Sequence, residues 1–474
     1  MNKFLIFIMI AFWGVSCSAQ KSSPRKIQEF VQEFVSDSNF YTAGIGIVIS
    51  DVESGKILAH NQAHLGLIPA STQKLITTTT ALELFGAHYQ FTTNIETDGS
   101  ITKQGVLTGN IIIHGNGDPT LGSKYFYPEK NAIASLFVKQ LREKGIKSID
   151  GNIIIDDTYL KASIPPSWIW EDIGNYYGAI PHGINYLDNL YTLYFKSGKP
   201  GNLTQITRTD PPQLDLQFEN KVISSAENRD LAYIFGGNIS NQRIIEGSIP
   251  KNKTDFAVKG AMLSPKTYLL EDLEKACMKS NITIQHRIIK AQIKTPLFEF
   301  NSPELKEIVR ITNQKSVNLF ADHLLFEIGH SKLGEADWET GIKAIKYYWK
   351  EKGLSTNFIR LCDGSGLSHY NLVTAQFFDQ LLRYMYKSKL RNEFISSLPV
   401  AGKSGTLKYF GKNTPLEGKW KSKTGSMTGV RTFCGYISNK KGKVLAVTIL
   451  INNYTSLHSL NNKLQKLLIQ LYNS

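Results

Sequence analysis

A serine and a lysine three residues apart begin the stretch of this chain best suited to chemistry. Ser71 follows a proline and an alanine, and Lys74 opens an apolar run that closes at Gly86. Proline near its start and glycine just past its end are typical of a helix, so we expect Ser71 at the N-terminus of a buried helix. Lys74 would then lie one turn on, with its amine within reach of the hydroxyl. The unpaired N–H groups of the helix start would lie where an oxyanion could form.

Two further motifs turn this weak pattern into a specific one. Ser-x-x-Lys also occurs at Ser18, Ser100 and Ser248, and a serine at a helix start is usually a cap. Downstream, however, residues 316–318 read Ser-Val-Asn before an apolar helix, and residues 423–425 read Lys-Thr-Gly at the end of a predicted strand. Ser-x-x-Lys, Ser-x-Asn and Lys-Thr-Gly in this order are the pattern of penicillin-binding proteins and class A β-lactamases. The pattern predicts acyl transfer through a nucleophilic serine.

The elements that must position these motifs follow from periodicity. Helices are predicted at 25–36, 265–280, 303–330, 338–352, 374–386 and 456–472, and strands at 44–50, 56–60, 420–424, 430–438 and 443–452. The three late strands are separated by tight polar turns, which favours an antiparallel meander. We therefore expect an α+β fold in which the first and last helices cover one face of an antiparallel sheet and a mainly helical part lies beside it. The Ser71 helix would lie where the two parts meet.

The stretch between the first two motifs has a different texture. Residues 89–256 are rich in short strands, turns and aromatic residues, and the patterns at 107–113 and 149–155 look like one strand design used twice. We interpret 89–256 as a β-rich inserted domain, with a smaller domain nested in it as an open alternative. Residues 25–88 and 257–474 would together form the catalytic domain.

The N-terminus predicts export. Lys3 precedes an apolar run at 4–15 that is too short to cross a bilayer comfortably, and small residues follow. Residues 1–19 are therefore predicted to be a signal peptide cleaved after Ala19. The alternative is a lipid anchor on Cys17, which Gly14 disfavours. The mature chain is expected in the periplasm or elsewhere in the cell envelope, peripheral to the membrane at most.

Composition narrows the class of protein. The net charge is +14 and its lysines and arginines are spread along the chain, which argues against a nucleic-acid-binding arm. The charge fits a protein working near an anionic surface or polymer, and equally a merely soluble basic protein. The four cysteines show neither zinc nor redox spacing and no histidine pair has metal spacing, so we expect no disulfide framework, metal or cofactor.

Over nearly its whole mature length the chain resembles the D-alanyl-D-alanine carboxypeptidase/endopeptidases of the penicillin-binding protein 4 type, the class C low-molecular-mass penicillin-binding proteins. Beyond the three motifs, the resemblance includes the large insert and the runs at 117–121, 156–157, 363–368 and 405–407. It implies the penicillin-binding or serine β-lactamase-like transpeptidase fold with a β-rich inserted domain. Two positions depart from the family pattern: His369 stands where an arginine is usual, and Val317 where aspartate is frequent.

The catalytic roles follow from chemistry and agree with the resemblance. Ser71 would attack the carbonyl between two D-alanines, and the acyl-enzyme would then be hydrolysed by water. Lys74 can act as the base if part of it is neutral, and we expect desolvation and the nearby charge of Lys423 to lower its pKa. Ser316 is suited to relay the proton to the leaving amine.

The remaining site residues are expected to hold the substrate. Asn318 can bond the substrate's backbone amide and hold the Lys74 amine. Lys423 and Thr424 would bind the terminal carboxylate, and Gly425 would let the substrate approach the strand backbone closely. The oxyanion hole would consist of the N–H groups of Ser71 and Ser426.

Three functions remain to be weighed at this point. The main hypothesis is a serine DD-peptidase that acts on peptidoglycan stem peptides and is inhibited covalently by β-lactams. A serine β-lactamase would need fast deacylation, for which the sequence offers no candidate glutamate. A catalytically idle wall-binding scaffold would not need an intact set of motifs. The sequence does not give the oligomeric state, the diamino acid of the substrate or the balance of carboxypeptidase and endopeptidase activity.

Overall fold

A computed structural model describes residues 24–161, 163–213, 215–237, 240–288 and 293–474. The predicted signal peptide and the alternative lipid site at Cys17 lie outside the described residues. The helices are α1 (Pro24–Val35), α2 (Lys74–Phe85), α3 (Ala132–Glu143), α4 (Pro265–Lys279), α5 (Leu305–Lys315), α6 (Asn318–Leu333), α7 (Trp338–Glu351), α8 (Ala375–Lys387), α9 (Arg391–Ser397) and α10 (Leu457–Asn473). No helix in these ranges is long and apolar enough to cross a membrane.

The strands fall into one large sheet and several smaller ones. The first ten are β1 (Gly44–Asp51), β2 (Ile57–Asn61), β3 (Thr92–Thr97), β4 (Ser100–Ile101), β5 (Val106–Thr108), β6 (Ile111–His114), β7 (Ser148–Ile149), β8 (Ile153–Asp156), β9 (Leu190–Lys196) and β10 (Gln205–Asp210). The others are β11 (Gln217–Asn220), β12 (Ile223–Ser225), β13 (Leu231–Phe235), β14 (Gln242–Pro250), β15 (Phe256–Ala261), β16 (Thr283–Ile284), β17 (Thr295–Asn301), β18 (Trp420–Met427), β19 (Val430–Ser438) and β20 (Val444–Asn452).

The large sheet is antiparallel, in the order β18-β19-β20-β1-β2, so that β18 forms one edge. Its central strands are apolar at nearly every position because both faces are covered. Alternate residues of β1 show this: Ile47 and Ile49 face the core under α1 and α10, whereas Val48 belongs to the core of the helical part. The predicted α+β sheet with the first and last helices on one face is therefore present.

The helical part is organised around α2. Nine of its residues, from Lys74 to Leu82, are buried, and it packs against α5, α6 and α7. A helix that is buried all round needs no polar face, which explains why the apolar run of α2 lacks a clear amphipathic pattern. The short turn that leads into α2, Ala70–Gln73, lies against β18 and β19 of the sheet.

The insert is built from paired strands and has its own apolar core. The two similar sequence patterns lie side by side, since β6 pairs in parallel with β8 from Ile111↔Ile153 to His114↔Asp156. The sequence placed the end of the insert at residue 256. However, β17 pairs with β3, and α4 packs on α3 within the same core. We propose that the insert extends to about residue 301, because long-range strand pairing, not composition, fixes where the chain returns to the catalytic domain.

Candidate active site

Ser71 lies in a short 3₁₀ turn, Ala70–Gln73, that leads directly into α2. The backbone at Ala70 is left-handed, with φ of 43°, a conformation that costs energy for a residue with a side chain. Gly366 supports this turn from the other side: a Cβ atom at Gly366 would lie 2.0 Å from the carbonyl oxygen of Ala70. The close approach fixes the orientation of the residue before Ser71.

The Lys74 amine contacts three groups. Its Nζ lies 3.0 Å from Ser71 Oγ, 2.6 Å from Asn318 Oδ1 and 2.7 Å from the carbonyl oxygen of Ser365. The last two are acceptors only, so they take two N–H bonds from the amine. A neutral amine has two N–H groups and one lone pair, which is then directed at the Ser71 hydroxyl. This arrangement is the one that a base needs in order to take the proton of Ser71.

Burial gives Lys74 the required protonation behaviour. Its side chain is completely buried, and the loss of hydration lowers the pKa of the amine to about 8. The charges of Lys74 and Lys423 also act on one another, since that of Lys74 lowers the pKa of Lys423. The buried carboxylates of Asp322 and Asp363 raise the pKa of Lys74 and so limit its shift. Sequence reasoning missed Asp322, although a lone acidic residue in the apolar run 319–325 was a visible signal.

Ser316 and Asn318 come from the corner between α5 and α6. Ser316 ends α5 in a left-handed conformation with φ of 59°, and Asn318 begins α6. The corner thus directs Asn318 Oδ1 at Lys74 and brings Ser316 Oγ within 2.9 Å of Lys423 Nζ. Two motifs that are 107 residues apart in the chain therefore meet through one hydrogen bond.

The third motif lies on the edge strand β18. Lys423 is buried, and its Nζ also donates to the carbonyl oxygen of Thr424. Burial lowers the pKa of Lys423 well below the ordinary value, and the charges of Lys74 and Arg431 lower it further. Thr424 Oγ1 donates to Thr406 Oγ1 at 2.7 Å, so the run at 405–407 supports this motif. At Gly425 a Cβ atom would lie 2.9 Å from the Ser71 nitrogen, which requires glycine where β18 passes Ser71. Ser426 lines the same cleft as Ser71.

One carboxylate organises the loop opposite Ser71. Asp363 Oδ1 accepts from the backbone N–H of Gly366 and from the side chains of Gln73 and Asn371, while its Oδ2 accepts from the backbone N–H of Ser368. From the sequence alone, residues 364–366 were interpreted as a structural turn. The structure shows that this turn also presents the Ser365 carbonyl oxygen to Lys74.

The insert contacts the candidate site through its aromatic loop, residues 163–180. The indole Nε1 of Trp168 donates to Asp363 Oδ2 at 2.9 Å, and Asn318 Nδ2 donates to the carbonyl oxygen of Tyr177 at 2.8 Å. The second bond orients the Asn318 amide so that its oxygen faces Lys74. These contacts join segments 141 and 195 residues apart, so no local pattern in the sequence could reveal them.

A cleft of about 940 Å³ runs between the insert and the catalytic domain, and Ser71, Ser316 and Asn318 line it. The wall of the cleft that the insert provides has acidic and basic residues in different places. Glu171 and Asp172 act electrostatically on one another and on Tyr233, and burial raises the pKa of Asp172 to about 6. Lys124 and Lys259 lie elsewhere on the wall. Within the described ranges no cluster of His, Cys, Asp or Glu could hold a metal ion.

This site has the groups for acyl transfer: a hydroxyl, a lysine amine beside it whose pKa is lowered to about 8, and a second buried lysine at a strand edge lie around one cleft. The fold and the site together define a penicillin-binding enzyme with a β-rich inserted domain. Residues 27–471 match the family described as "D-Ala-D-Ala carboxypeptidase 3 (S13) family", and the chain belongs to that family. The resemblance, the α+β fold class and the enzyme class, a serine-type DD-peptidase, are thereby confirmed.

Individual relatives agree with the family. The chain is 25% identical over 455 residues to the D-alanyl-D-alanine carboxypeptidase DacB of Haemophilus influenzae, covering 94% of this chain and 91% of that protein. It also resembles the crystal structure of penicillin binding protein 4 (dacB) from Haemophilus influenzae, with a TM-score of 0.76 at 23% identity, covering 94% of this chain and 99% of the other. The complex of that protein with a β-lactam gives a TM-score of 0.75 at 22% identity, covering 95% and 100%.

Proposed function

We propose that this protein hydrolyses the bond between the two terminal D-alanines of peptidoglycan stem peptides through an acyl-enzyme on Ser71. The observation that carries the proposal is the environment of Lys74, whose two N–H bonds are taken by acceptors and whose lone pair is left for Ser71 Oγ, 3.0 Å away. Membership of the family supports the substrate class.

The reaction proceeds in two steps. Ser71 Oγ bonds to the carbonyl carbon of the penultimate D-alanine as its proton passes to Lys74 Nζ. The C–N bond then breaks, and the proton reaches the leaving amine through Ser316, which is held by Lys423 at 2.9 Å. In the second step water attacks the ester carbonyl and gives a proton to Lys74. The bond to Ser71 Oγ then breaks, the shortened peptide leaves, and Lys74 returns the proton to the Ser71 oxygen.

The edge strand binds the end of the substrate. The cation of Lys423 and the hydroxyl of Thr424 take the terminal carboxylate, and the N–H groups of Ser71 and Ser426 hold the oxyanion. The bare backbone at Gly425 leaves room for the close approach. β-Lactams enter as substrate mimics and acylate Ser71, and they remain bound because the leaving group stays tethered. A β-lactam complex of a solved relative supports this part of the proposal.

We further propose that the chain is exported through its N-terminal segment and works in the cell envelope. Its substrate is found there, and the positive charge of +14 suits work on an anionic wall.

The test combines mass spectrometry with product release. Incubation with penicillin should add one penicilloyl group to the wild-type mass, and incubation with a stem pentapeptide should release D-alanine. Ser71→Ala should abolish both. Ser100→Ala is the matched control, because Ser100 begins another Ser-x-x-Lys run on an exposed strand, and this variant should behave as wild type.

Each other outcome contradicts the proposal. An adduct that persists in Ser71→Ala would remove the nucleophile assignment. An adduct lost within seconds would favour a β-lactamase. Binding to isolated sacculi without any D-alanine release would favour a wall-binding scaffold.

A further inference from the structure

The cleft holds a pair of lysines that the proposed reaction does not use. Lys124 comes from the loop after β6, and Lys259 comes from β15, where it shares a face with Ala257, another residue of the cleft wall. Lys124 is about half exposed, and its Nζ lies 3.2 Å from Asp188 Oδ2. Lys259 has no ion pair among the described residues. Burial lowers the pKa of Lys259, and the two lysines are close enough that the charge of Lys124 lowers it further.

A strained turn positions the acidic residue between them. Leu187, Asp188 and Asn189 all have positive φ, at 54°, 59° and 52°. Asn189 holds the turn, because its side chain accepts from the Tyr186 N–H and donates to the Ile180 carbonyl oxygen. Three consecutive left-handed residues with side chains are costly, and such strain persists where the surrounding contacts over-determine it.

The turn leaves one acceptor free. Asp188 is 5% exposed, and its Oδ1 has no hydrogen-bond partner in the part of the chain that the structure describes. A buried acceptor without a partner costs free energy, and a donor on a bound molecule would recover it. The site therefore offers two ammonium groups for a carboxylate and, beside them, one oxygen for an N–H.

We propose that Lys124, Lys259 and Asp188 form a subsite for an N-acylated residue with a free α-carboxylate. The two lysines bind the carboxylate oxygens, and Asp188 Oδ1 accepts the N–H on the same carbon. Away from the C-terminus of a peptide, both groups occur on one carbon in a residue linked through its side chain, such as a γ-linked glutamyl residue. This inference rests on the proposed function.

The position of this residue in the substrate follows from the reaction. In a carboxypeptidase substrate the leaving group is a single D-alanine, whose carboxylate is assigned to Lys423 and Thr424. Any further carboxylate therefore lies on the acyl side of the scissile bond. A cleft of about 940 Å³ is large enough for several residues, since pockets of about 300–1,000 Å³ hold drug-sized ligands. The subsite would select peptides by a residue remote from the chemistry.

A pair of matched peptides tests the proposal. Two N-acetylated stem pentapeptides would be identical except that the γ-linked second residue carries either an α-carboxylate or an α-carboxamide. Wild-type protein should release D-alanine from the carboxylate peptide with a kcat/KM about tenfold higher, the size expected for hydrogen bonds to a charged group. In the double variant Lys124→Met/Lys259→Met this ratio should fall to about one, mainly through KM.

Controls separate this proposal from the proposed function. Penicillin lacks the remote carboxylate, so its acylation rate should stay within about twofold in the double variant, which also shows that the variant is folded. Lys103→Met, at an exposed position of the insert outside the cleft, should keep the tenfold ratio. A wild-type ratio near one, or a ratio that the double variant retains, would overturn the subsite. Failure of wild-type protein to react with penicillin would overturn the proposed function instead.

Discussion

The rate of acylation should depend on pH with a bend near pH 8. Lys74 must be neutral to accept the proton of Ser71, and burial lowers its pKa from 10.5 to about 8. By the titration equation, about 1% of the amine is neutral at pH 6, about 9% at pH 7 and about 90% at pH 9. The rate should therefore rise about tenfold per pH unit below 7.5 and level off above 9. An amine with the ordinary pKa would give the tenfold rise throughout this range, without any bend.

The assay is the single-turnover rate at saturating fluorescent penicillin from pH 6 to 9.5, corrected for hydrolysis of the penicillin alone. Saturation isolates the acylation step. The second-order rate constant should in addition fall at the alkaline end, because the lowered pKa of Lys423 removes the cation that binds the carboxylate. A saturating rate that is flat from pH 6 to 9.5, or still rising tenfold per unit at pH 9.5, would refute the role assigned to Lys74.

Two further predictions concern contacts between the insert and the rest of the chain. Trp168→Phe removes the indole hydrogen bond to Asp363, a charge-assisted bond worth about 1.5–3 kcal/mol, so acylation should slow about tenfold or more. The control Trp170→Phe lies in the same loop but is 55% exposed, and its acylation rate should stay within twofold of wild type. Equal rates for both variants would contradict the positioning role of Trp168. Burial, and then the charge of His182, lower the pKa of His323 to about 3. As pH drops from 6.5 towards 3, this histidine is protonated in the unfolded state but stays neutral in the folded state. The free energy of unfolding should therefore fall over this range, by about 3 kcal/mol at pH 4.5. Between pH 7.5 and 4.5, the free energy of unfolding in urea should fall less for His323→Gln than for wild type. Burial raises the pKa of Asp118 to about 6, which gives the opposite trend with pH, but this trend is common to both proteins and cancels in the comparison. An equal fall in both proteins would refute the role of His323.

Much of the site could be predicted because its motifs are local. Ser71 and Lys74 are three residues apart, and a helical start is enough to bring their side chains together, although the structure uses a 3₁₀ turn there. The order of the three motifs then identified the fold, and with it the meeting of Ser316 and Lys423. The three central strands of the large sheet were predictable because each is a mostly apolar run between polar turns.

The remainder depends on contacts between distant segments. The bond from Asn318 to the Tyr177 carbonyl oxygen involves a backbone atom, and a backbone atom leaves no mark on the sequence. The carboxylate of Asp322 beside Lys74 was missed because Asp322 lies in an apolar run whose packing decides what it faces. The proposed end of the insert near residue 301 leaves no local signal, because the pairing of β17 with β3 joins residues about 200 apart.

The central claim is that Ser71 is the nucleophile, and peptide mapping of the penicilloyl adduct tests it most directly. Trypsin should release residues 57–74 as one peptide, in which Ser71 is the single serine. We predict that the whole adduct lies on this peptide and that fragmentation places it on residue 71. An adduct on a peptide containing Ser316 or Ser426, or on no peptide at all, would contradict the account.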